Sequence, residues 1–252
     1  MLEVQNVTQR FGGLTALNKV SLTVQSGRVT GLIGPNGAGK TTLINAISAF
    51  VRPSEGEIRF GGQAIQRFSP HRIARLGIAR TYQNIRLFGE LTVRDNLIVA
   101  QHTHGHSSIL DSLLTTPYFR RERRGLIAAA DALLERFGLA ALADVPAAAL
   151  PYGDQRRLEL ARALASRPTL ILLDEPTAGM NPVETEALGE HVLRLKAEGV
   201  GILVIEHDMT FIHQVCDDIY VLNFGEIIAQ GLPAAIKQNP AVIAAYLGDD
   251  ES

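Results

Sequence analysis

Several features are scarce in this chain of 252 residues, and each scarcity excludes a class of protein. Cysteine occurs once, as Cys216, so no internal disulfide can form and a reducing compartment is favoured. No apolar run approaches the roughly 18 residues that predict a membrane-spanning helix. The 24 Lys and Arg residues do not outnumber the 26 Asp and Glu residues, which argues against a general nucleic-acid-binding protein.

The first residues of the chain also lack the basic and apolar segments of a signal peptide. We therefore expect a cytoplasmic protein, or one that is attached to a membrane only through its partners. Cys216 lies in an amphipathic stretch before a predicted strand, and we interpret it as a small apolar residue of the core rather than as a reactive thiol.

Hydrophobic residues make up 46% of the chain, enough for a large core, and their spacing predicts an α/β fold. Short apolar runs that are typical of strands alternate with helical segments, which indicates a mainly parallel sheet covered on both faces. The predicted strands are Leu2–Thr8, Val20–Val24, Val29–Ile33, Gly56–Phe60, Leu170–Leu173 and Gly201–Ile205, with a hairpin of Ile219–Leu222 and Glu226–Ala229.

The middle of the chain is predicted to be mainly helical. Helical spacing recurs between Asn84 and about Ser166, in Thr92–Gln101, Leu126–Phe137 and Gln155–Ala165. We interpret this stretch as an insertion into the α/β core. The predicted organisation is a single domain of residues 1–240, with a core (1–83 and 167–232) and a helical insertion (84–166), and a carboxy-terminal helix and tail of residues 233–252.

The segment Gly34–Thr41 reads G-P-N-G-A-G-K-T and is typical of a phosphate-binding loop. It follows the predicted strand Val29–Ile33 and opens the predicted helix Lys40–Phe50, which is the context that such a loop requires. Its glycines let backbone N–H groups approach phosphate oxygens, while Lys40 is expected to contact the β- and γ-phosphates and Thr41 to ligate Mg²⁺. The predicted nucleotide-binding residues are Gly34, Pro35, Asn36, Gly37, Ala38, Gly39, Lys40, Thr41 and Thr42.

Two carboxylates, Asp174 and Glu175, follow the predicted strand Leu170–Leu173. At the carboxyl end of a central strand they are expected beside the phosphate-binding loop of a neighbouring strand. Asp174 can then hold Mg²⁺, and Glu175 can orient or deprotonate the attacking water. A solvated pair of acids at a strand end is the alternative interpretation.

Three further motifs distinguish the chain from other proteins with a phosphate-binding loop. Gln83 follows Ile78–Tyr82, the sequence L-P-Y-G-D-Q-R-R at 150–157 opens a helix, and His207 follows Leu203–Glu206. In this order the five motifs resemble the ATP-binding subunit of an ABC transporter over nearly the whole chain. The resemblance implies a P-loop NTPase core, with a mainly parallel sheet and an antiparallel β subdomain, and an inserted helical subdomain.

The resemblance also implies an ATPase whose subunits pair head to tail around two ATP molecules. Gln83 would touch Mg²⁺ and the water, and His207 the γ-phosphate, although a lone His after a strand is by itself more often structural. Phe11 resembles the aromatic residue that stacks on adenine, and a core phenylalanine is the open alternative. The implied catalytic residues are Lys40, Gln83, Glu175 and His207, and the implied metal ligands are Thr41, Gln83 and Asp174.

The signature motif departs from the family pattern Leu-Ser-Gly-Gly-Gln. Only the leucine and the second glycine, Gly153, are retained, and Pro151, Tyr152 and Asp154 occupy the replaced positions. Because Pro151 has neither a hydroxyl nor an N–H group, the N–H groups of Tyr152 and Gly153 are expected to meet the ATP of the partner subunit.

Within the family, the chain is most similar to the ATP-binding subunits of branched-chain amino acid importers. The similar parts are Arg80–Phe88, the tyrosine-containing signature, the insertion Thr103–Gly125 and the tail Asn239–Gly248. The implied partners are a second ATP-binding subunit, identical or paralogous, two membrane permease subunits and indirectly a solute-binding protein, with no nucleic acid. The implied location is peripheral, at the cytoplasmic face of the inner or plasma membrane.

Other functions fit the same motifs. Urea or amide importers and a lipopolysaccharide-export subunit share the pattern of this subgroup. A soluble ABC ATPase acting on nucleic acid or ribosomes is a further alternative, although such proteins commonly carry two ATP units or a long coiled coil. A small-molecule kinase would use the same loop but needs an acceptor pocket in place of the signature and His207.

Overall fold

The computed structural model describes residues 1–101 and 117–247, and it divides into two compact units. The larger unit comprises Met1–Gln83 and Thr169–Ser252, and the helical unit comprises Asn84–Pro168. Residues 103–116 of the predicted insertion lie outside the described part of the chain, as does the end of the predicted tail.

The strands of the larger unit form two sheets. In chain order they are β1 (Leu2–Phe11), β2 (Leu14–Val24), β3 (Val29–Ile33), β4 (Glu55–Phe60), β5 (Gln63–Ala64), β6 (Ile78–Arg80), β7 (Leu170–Asp174), β8 (Gly201–Ile205), β9 (Asp218–Asn223) and β10 (Glu226–Gly231). One sheet is antiparallel, in the order β2-β1-β4-β5, and the other has the order β10-β9-β3-β8-β7-β6. All pairs of the second sheet are parallel except the β9–β10 hairpin, so the predicted α/β fold is confirmed.

Three neighbouring strands of the parallel sheet, β3, β8 and β7, are buried along their whole length. Their sequences are nearly continuous apolar runs, because a strand that is covered on both faces has no side exposed to water. The bounds of β3 and β8 agree with the prediction, and β7 extends further to include Asp174. Since the three strands are parallel, their carboxyl ends meet at one edge of the sheet.

The antiparallel sheet is more extensive than the sequence indicated. The prediction ended the first strand at Thr8 and began the second at Val20, whereas β1 and β2 continue to a tight turn between Phe11 and Leu14. The pairing of β1 with β2 contains several register shifts, and Lys19 adopts a left-handed φ of 49°. Such bulges interrupt the alternation of apolar and polar residues on which the prediction relied.

The helices follow in chain order, and the third to fifth belong to the helical unit. They are α1 (Lys40–Ile47), α2 (Pro70–Arg75), α3 (Val93–Gln101), α4 (Pro117–Arg136), α5 (Tyr152–Ala165), α6 (Pro182–Ala197), α7 (Met209–Val215), α8 (Pro233–Lys237) and α9 (Pro240–Leu247). Helix α1 is shorter than the predicted Lys40–Phe50, because Ala49 is left-handed (φ 61°) and the Phe50 N–H donates to the Asn45 carbonyl oxygen.

The core of the larger unit is shared by the two sheets and α1. Leu43 and Ile44 of α1 are fully buried in it, together with Leu172 of β7 and Leu203 of β8. Burial of each such side chain contributes about 1.5–3 kcal/mol. This packing fixes the position of α1 and therefore of Lys40 at its start.

The helical unit has its own core. Leu97, Leu134 and Leu158, one from each of α3, α4 and α5, are fully buried. Helix α5 begins at Tyr152 rather than at the predicted Gln155, so Tyr152, Gly153 and Asp154 of the signature lie in its first turn. Among the helices of the described residues, none is long and apolar enough to cross a membrane.

Cys216 packs against the parallel sheet, with its Sγ 3.1 Å from the position that a Cβ on Gly31 would take. Burial, together with the charges of Asp218 and Asp217, raises the pKa of the Cys216 thiol. A thiol with a raised pKa stays neutral and is a poor nucleophile. The packing and the pKa support the interpretation of Cys216 as a structural residue.

Candidate nucleotide-binding and hydrolysis site

The loop between β3 and α1 has a backbone that only glycine adopts readily. Gly34, Gly37 and Gly39 have φ values of 151°, 76° and 107°, all in the left-handed region. A Cβ on Gly34 would lie 1.9 Å from the Leu222 carbonyl oxygen, and one on Gly39 would lie 2.6 Å from that of Ala16. The glycines are therefore required both for the turn and for close packing of the loop against its neighbours.

Lys40 carries the positive charge of the loop and is only 9% exposed. Its Nζ donates to the carbonyl oxygens of Gly34 and Pro35, at 2.5 and 2.7 Å. These bonds hold the ammonium group against the backbone of the loop. The loop therefore presents a fixed cation together with backbone N–H groups, an arrangement that suits a phosphate chain.

The first cleft at this loop has a volume of about 430 Å³. Its lining residues are Phe11, Leu14, Thr15, Ala16, Asn36, Gly37, Ala38, Gly39, Lys40, Thr41, Thr42, Glu175, Phe224 and Gly225. The Gly225 N–H donates to the Ala38 carbonyl oxygen at 2.9 Å, which fastens the β9–β10 turn to the loop. Phe11 is 48% exposed in this cleft, so it is not the core phenylalanine of the alternative interpretation.

A second cleft, of about 530 Å³, lies on the other part of the loop. It brings Gly34, Pro35 and Asn36 together with Gln83, Glu175, His207 and Tyr246. The Gln83 Nε2 donates to Oε2 of Glu175 at 2.8 Å. Three residues that are far apart in the sequence thus lie at the phosphate-binding loop: Gln83, Glu175 and His207.

The carboxylates at the end of β7 lie in different surroundings. Asp174 is 5% exposed, and its Oδ2 accepts a hydrogen bond from Nη2 of Arg80 at 2.9 Å. Glu175 faces both clefts and adopts a left-handed φ of 46°. A non-glycine residue in this region is strained, and such strain is common at functional sites.

The backbone at His207 is held by a residue that the sequence interpretation missed, Glu206. Glu206 is completely buried, and its carboxylate accepts bonds from the Thr177 N–H and hydroxyl, at 2.8 and 2.5 Å. It also accepts bonds from the N–H groups of His207 and Asp208, at 3.0 and 3.3 Å. The carboxylate therefore fixes the backbone that presents His207 to the second cleft. A charged residue directly after an apolar strand was the available signal.

Two further residues were missed as parts of the site. Arg80 is the last residue of strand β6, and in the sequence it contributes only to the family resemblance. Tyr246 of α9 lines the second cleft, and burial raises the pKa of its phenol. No local pattern marks Tyr246, because α9 reaches the loop only through the tertiary fold.

The signature residues open α5. Tyr152 is half-exposed, Gly153 is buried, and Pro151 precedes the helix without a side-chain cap. The Asp154 carboxylate pairs with Arg157, and Arg156 pairs with Glu159. Tyr152 and Gly153 belong to the helical unit, whereas every residue that lines the two clefts belongs to the larger unit.

The donor types of the predicted metal ligands suit Mg²⁺. Thr41, Gln83 and Asp174 offer a hydroxyl, an amide and a carboxylate oxygen, which are hard ligands. Within residues 1–101 and 117–247, no group of three or more His, Cys, Asp or Glu side chains is placed to hold a metal by itself. Mg²⁺ usually keeps several waters and substrate phosphates among its ligands and is bound through only one or two carboxylates.

The fold and the loop define an ATP-binding cassette. The family model "ABC transporter" matches residues 17–178, and "Branched-chain amino acid ATP-binding cassette transporter" matches residues 226–252. The chain belongs to the ABC transporter family and is an ABC ATPase, so the predicted family and enzyme class are confirmed.

Curated relatives and solved structures agree with this assignment. The chain is 47% identical to the "High-affinity branched-chain amino acid transport ATP-binding protein BraF" of Pseudomonas aeruginosa, over 99% of this chain and 98% of that protein. It is 45% identical to the corresponding LivG protein of Escherichia coli, with the same coverage. A crystal structure of a nucleotide-free ATP-binding cassette from an ABC transporter superposes with a TM-score of 0.85, at 35% identity over 98% of both chains. The ADP conformation of an ATP-binding cassette gives the same values.

Proposed function

We propose that the chain is the ATP-hydrolysing subunit of an ABC importer for branched-chain amino acids or similar small polar solutes. The observation that carries the hydrolytic role is the meeting of Lys40, Gln83 and Glu175 at one phosphate-binding loop. The choice of solute is supported by the full-length similarity to the Pseudomonas and Escherichia coli proteins and by the match of residues 226–252.

The loop binds the triphosphate in the proposed reaction. Backbone N–H groups between Gly37 and Thr41, the amino terminus of α1 and the Lys40 ammonium surround the β- and γ-phosphates. Thr41, Gln83 and Asp174 are the residues that would hold Mg²⁺, which supplies charge neutralisation on the phosphate oxygens. Phe11, exposed in the first cleft, offers its ring to the adenine.

Glu175 is the proposed general base. Gln83 holds one of its carboxylate oxygens, which leaves the other to accept a proton from the attacking water. The water oxygen bonds to the γ-phosphorus, and the bond from that phosphorus to the bridging oxygen breaks, so that ADP leaves with the electron pair. His207, whose backbone N–H donates to Glu206, is the residue proposed to contact the γ-phosphate, and its position in the second cleft supports this role.

A second copy or a paralogue is proposed to complete the site. In this arrangement, Tyr152 and Gly153 of one subunit approach the γ-phosphate bound to the loop of the other. Pro151 has no N–H group to offer, so the first turn of α5 supplies the donors. Donors at a helix start stabilise the charge that develops on the phosphate oxygens.

The transport pathway is proposed to lie in other chains. Two permease subunits would hold a pair of these ATPase subunits peripherally at the cytoplasmic face of the membrane, and a solute-binding protein would deliver the solute from the other side. We expect no nucleic acid in the assembly. The segment Gln83–Gly89 is the proposed docking site for a short helix of the permease.

The proposed assembly predicts which proteins co-purify with the chain from native membranes. A tagged chain that is extracted in mild detergent should recover two permease-type proteins. Once these are reconstituted in vesicles with their solute-binding protein, leucine, isoleucine or valine should stimulate ATP hydrolysis, and urea should not. The Lys40→Ala variant should recover the same permeases without hydrolysis. Recovery of ribosomes or DNA would contradict the transport function, and stimulation by urea alone would assign a different solute.

The proposed contact of Phe11 with adenine predicts a moderate loss of affinity. Phe11→Ala should weaken ATP binding by about 1 kcal/mol, or roughly fivefold, because an aromatic face is lost. Since Phe11 is about half exposed, the melting temperature should change little. Titration calorimetry with ATP and with inorganic tripolyphosphate separates the contributions of base and phosphates.

The matched control for this prediction is Phe11→Tyr, which keeps the ring and should keep the affinity for ATP. Tripolyphosphate, which has no base, should bind equally to the parent chain, Phe11→Ala and Phe11→Tyr. Equal weakening of ATP and tripolyphosphate in Phe11→Ala would assign the effect to the loop and not to the base.

A further inference from the structure

Arg80 is a buried cation to which the family motifs assign no function. It ends β6 and pairs in register with Leu172 of the parallel strand β7. Its Nη2 lies 2.9 Å from Oδ2 of Asp174, and the two side chains are only 9% and 8% exposed. Because water is largely excluded, each charge strongly affects the other.

A second nitrogen of the same guanidinium group reaches α1. Nη1 of Arg80 donates to Oδ1 of Asn45 at 2.7 Å and to Oγ of Ser48 at 3.0 Å. The Ser48 hydroxyl donates in turn to the Ile44 carbonyl oxygen, so its lone pairs face Arg80. Arg80 therefore connects the helix that begins at Lys40 with the strand that ends at Asp174.

Two aromatic rings restrict the guanidinium group further. Its central carbon lies 4.9 Å from the centre of the Tyr82 ring and 5.8 Å from that of Phe50. The rings themselves meet edge to face at 6.3 Å. Cation–π attraction and hydrogen bonds in different directions leave Arg80 little freedom, as the positioning of a neighbouring carboxylate requires.

We propose that Arg80 is a positioning residue of the hydrolysis site: it holds Oδ2 of Asp174 and opposes the charge of that carboxylate, so that a divalent cation binds there only together with the nucleotide. The inference rests on the proposed function, in which Asp174 is a metal ligand. With Oδ2 engaged, Oδ1 is the oxygen left for the cation or its water. The positive charge of Arg80 weakens the attraction of the site for a free cation, and the phosphates of ATP restore it.

A purely structural ion pair predicts a different behaviour. Loss of one partner of a buried pair destabilises the fold because the other charge is left uncompensated. In that case, replacement of Arg80 would lower the melting temperature without altering its response to Mg²⁺. The response of the nucleotide-free protein to Mg²⁺ therefore separates the two roles.

The decisive variant is Arg80→Met. In the absence of nucleotide, its melting temperature should rise as MgCl₂ is added, whereas that of the parent chain should not. Its kcat for ATP should fall about tenfold, as is typical when a residue that orients a metal ligand is lost, with a smaller change in KM. Arg80→Lys keeps the charge but not the forked geometry, so it should remain insensitive to Mg²⁺ alone while its kcat stays reduced.

Arg59→Met is the matched control, because it removes an arginine that pairs with Glu57 at 2.8 Å in β4 of the same unit. It should alter neither kcat nor the response to Mg²⁺. If Arg80→Met does not fold, Arg80→Gln, an uncharged donor, is judged by the same criterion. If the melting temperature of the folded variant does not change with Mg²⁺, as in the parent chain, the inference is overturned. Absence of ATP hydrolysis by the parent chain would contradict the proposed function instead, and the melting experiment would still decide the role of Arg80.

Discussion

Glu175→Gln should retain ATP binding and lose nearly all hydrolysis, with a fall in kcat of about 10²- to 10⁴-fold. The substitution is isosteric, and the new amide oxygen can still accept the hydrogen bond from Nε2 of Gln83. The left-handed backbone at position 175 is equally strained for both residues. The lost activity is thus assigned to the basicity of the carboxylate and not to a disturbed loop.

Phosphate release measures the hydrolysis by Glu175→Gln, and titration calorimetry measures its ATP affinity. Because ATP is bound but not cleaved, size-exclusion chromatography with ATP and Mg²⁺ should show a stable pair of subunits that the parent chain does not accumulate. Glu190→Gln, an isosteric change at an exposed position of α6, is the control and should hydrolyse ATP normally. Turnover by Glu175→Gln within a few-fold of the parent would contradict the role of Glu175 as the base.

Lys40→Ala should lose most of its affinity for ATP. A charged hydrogen bond contributes about 1.5–3 kcal/mol, which corresponds to a Kd about 10- to 150-fold weaker. Lys40 is buried at the start of α1 and already bound to the backbone of the loop, so little side-chain entropy is lost when phosphate arrives. This preorganisation is the reason to expect a large effect.

The loss of the Lys40 charge must be separated from a distorted loop. The carbonyl oxygens of Gly34 and Pro35 lose their donor in Lys40→Ala, so a modest fall in melting temperature is expected as well. Lys40→Met keeps the apolar stem and should lose the same affinity. Lys237→Ala, at the exposed end of α8, should bind ATP like the parent chain. Unchanged calorimetric binding by Lys40→Ala would refute the assignment of the loop.

The two substitutions test different steps of one cycle. Lys40→Ala acts before the nucleotide is held, and Glu175→Gln acts after it is held. A chain that only binds nucleotides without cleaving them would respond to the first change and not to the second. The comparison therefore distinguishes an ATPase subunit from a nucleotide-sensing protein that has the same loop.

The interaction of Gln83 with Glu175 shows how far the sequence could predict the site. The sequence indicated both residues separately, through their order relative to the loop and the family resemblance. Their hydrogen bond requires β6 and β7 to pair in parallel, with Ile78 opposite Leu170. No local pattern encodes that register, because the two strands are separated by the whole helical unit.

The phosphate-binding loop, by contrast, was predictable from the sequence alone. Its function depends on residues that are consecutive in the chain: strand β3, the glycines and the start of α1. Positive φ angles at Gly37 and Gly39 follow from residue type and spacing, so the motif itself specifies the geometry. The family and the fold class could be predicted for the same reason, because they depend on the order of local motifs and strands along the chain.

The tertiary structure alone decided which side chains surround those local motifs. It brought the guanidinium group of Arg80 to the carboxylate of Asp174 and the carboxylate of Glu206 to the backbone N–H of His207. It also brought Tyr246 to the cleft beside the loop. It also exposed Phe11, which the sequence left open as a core residue. The physical reason is that local hydrogen bonding and backbone sterics fix a loop or a strand, whereas the partners of a buried charge depend on packing between segments that are distant in the chain.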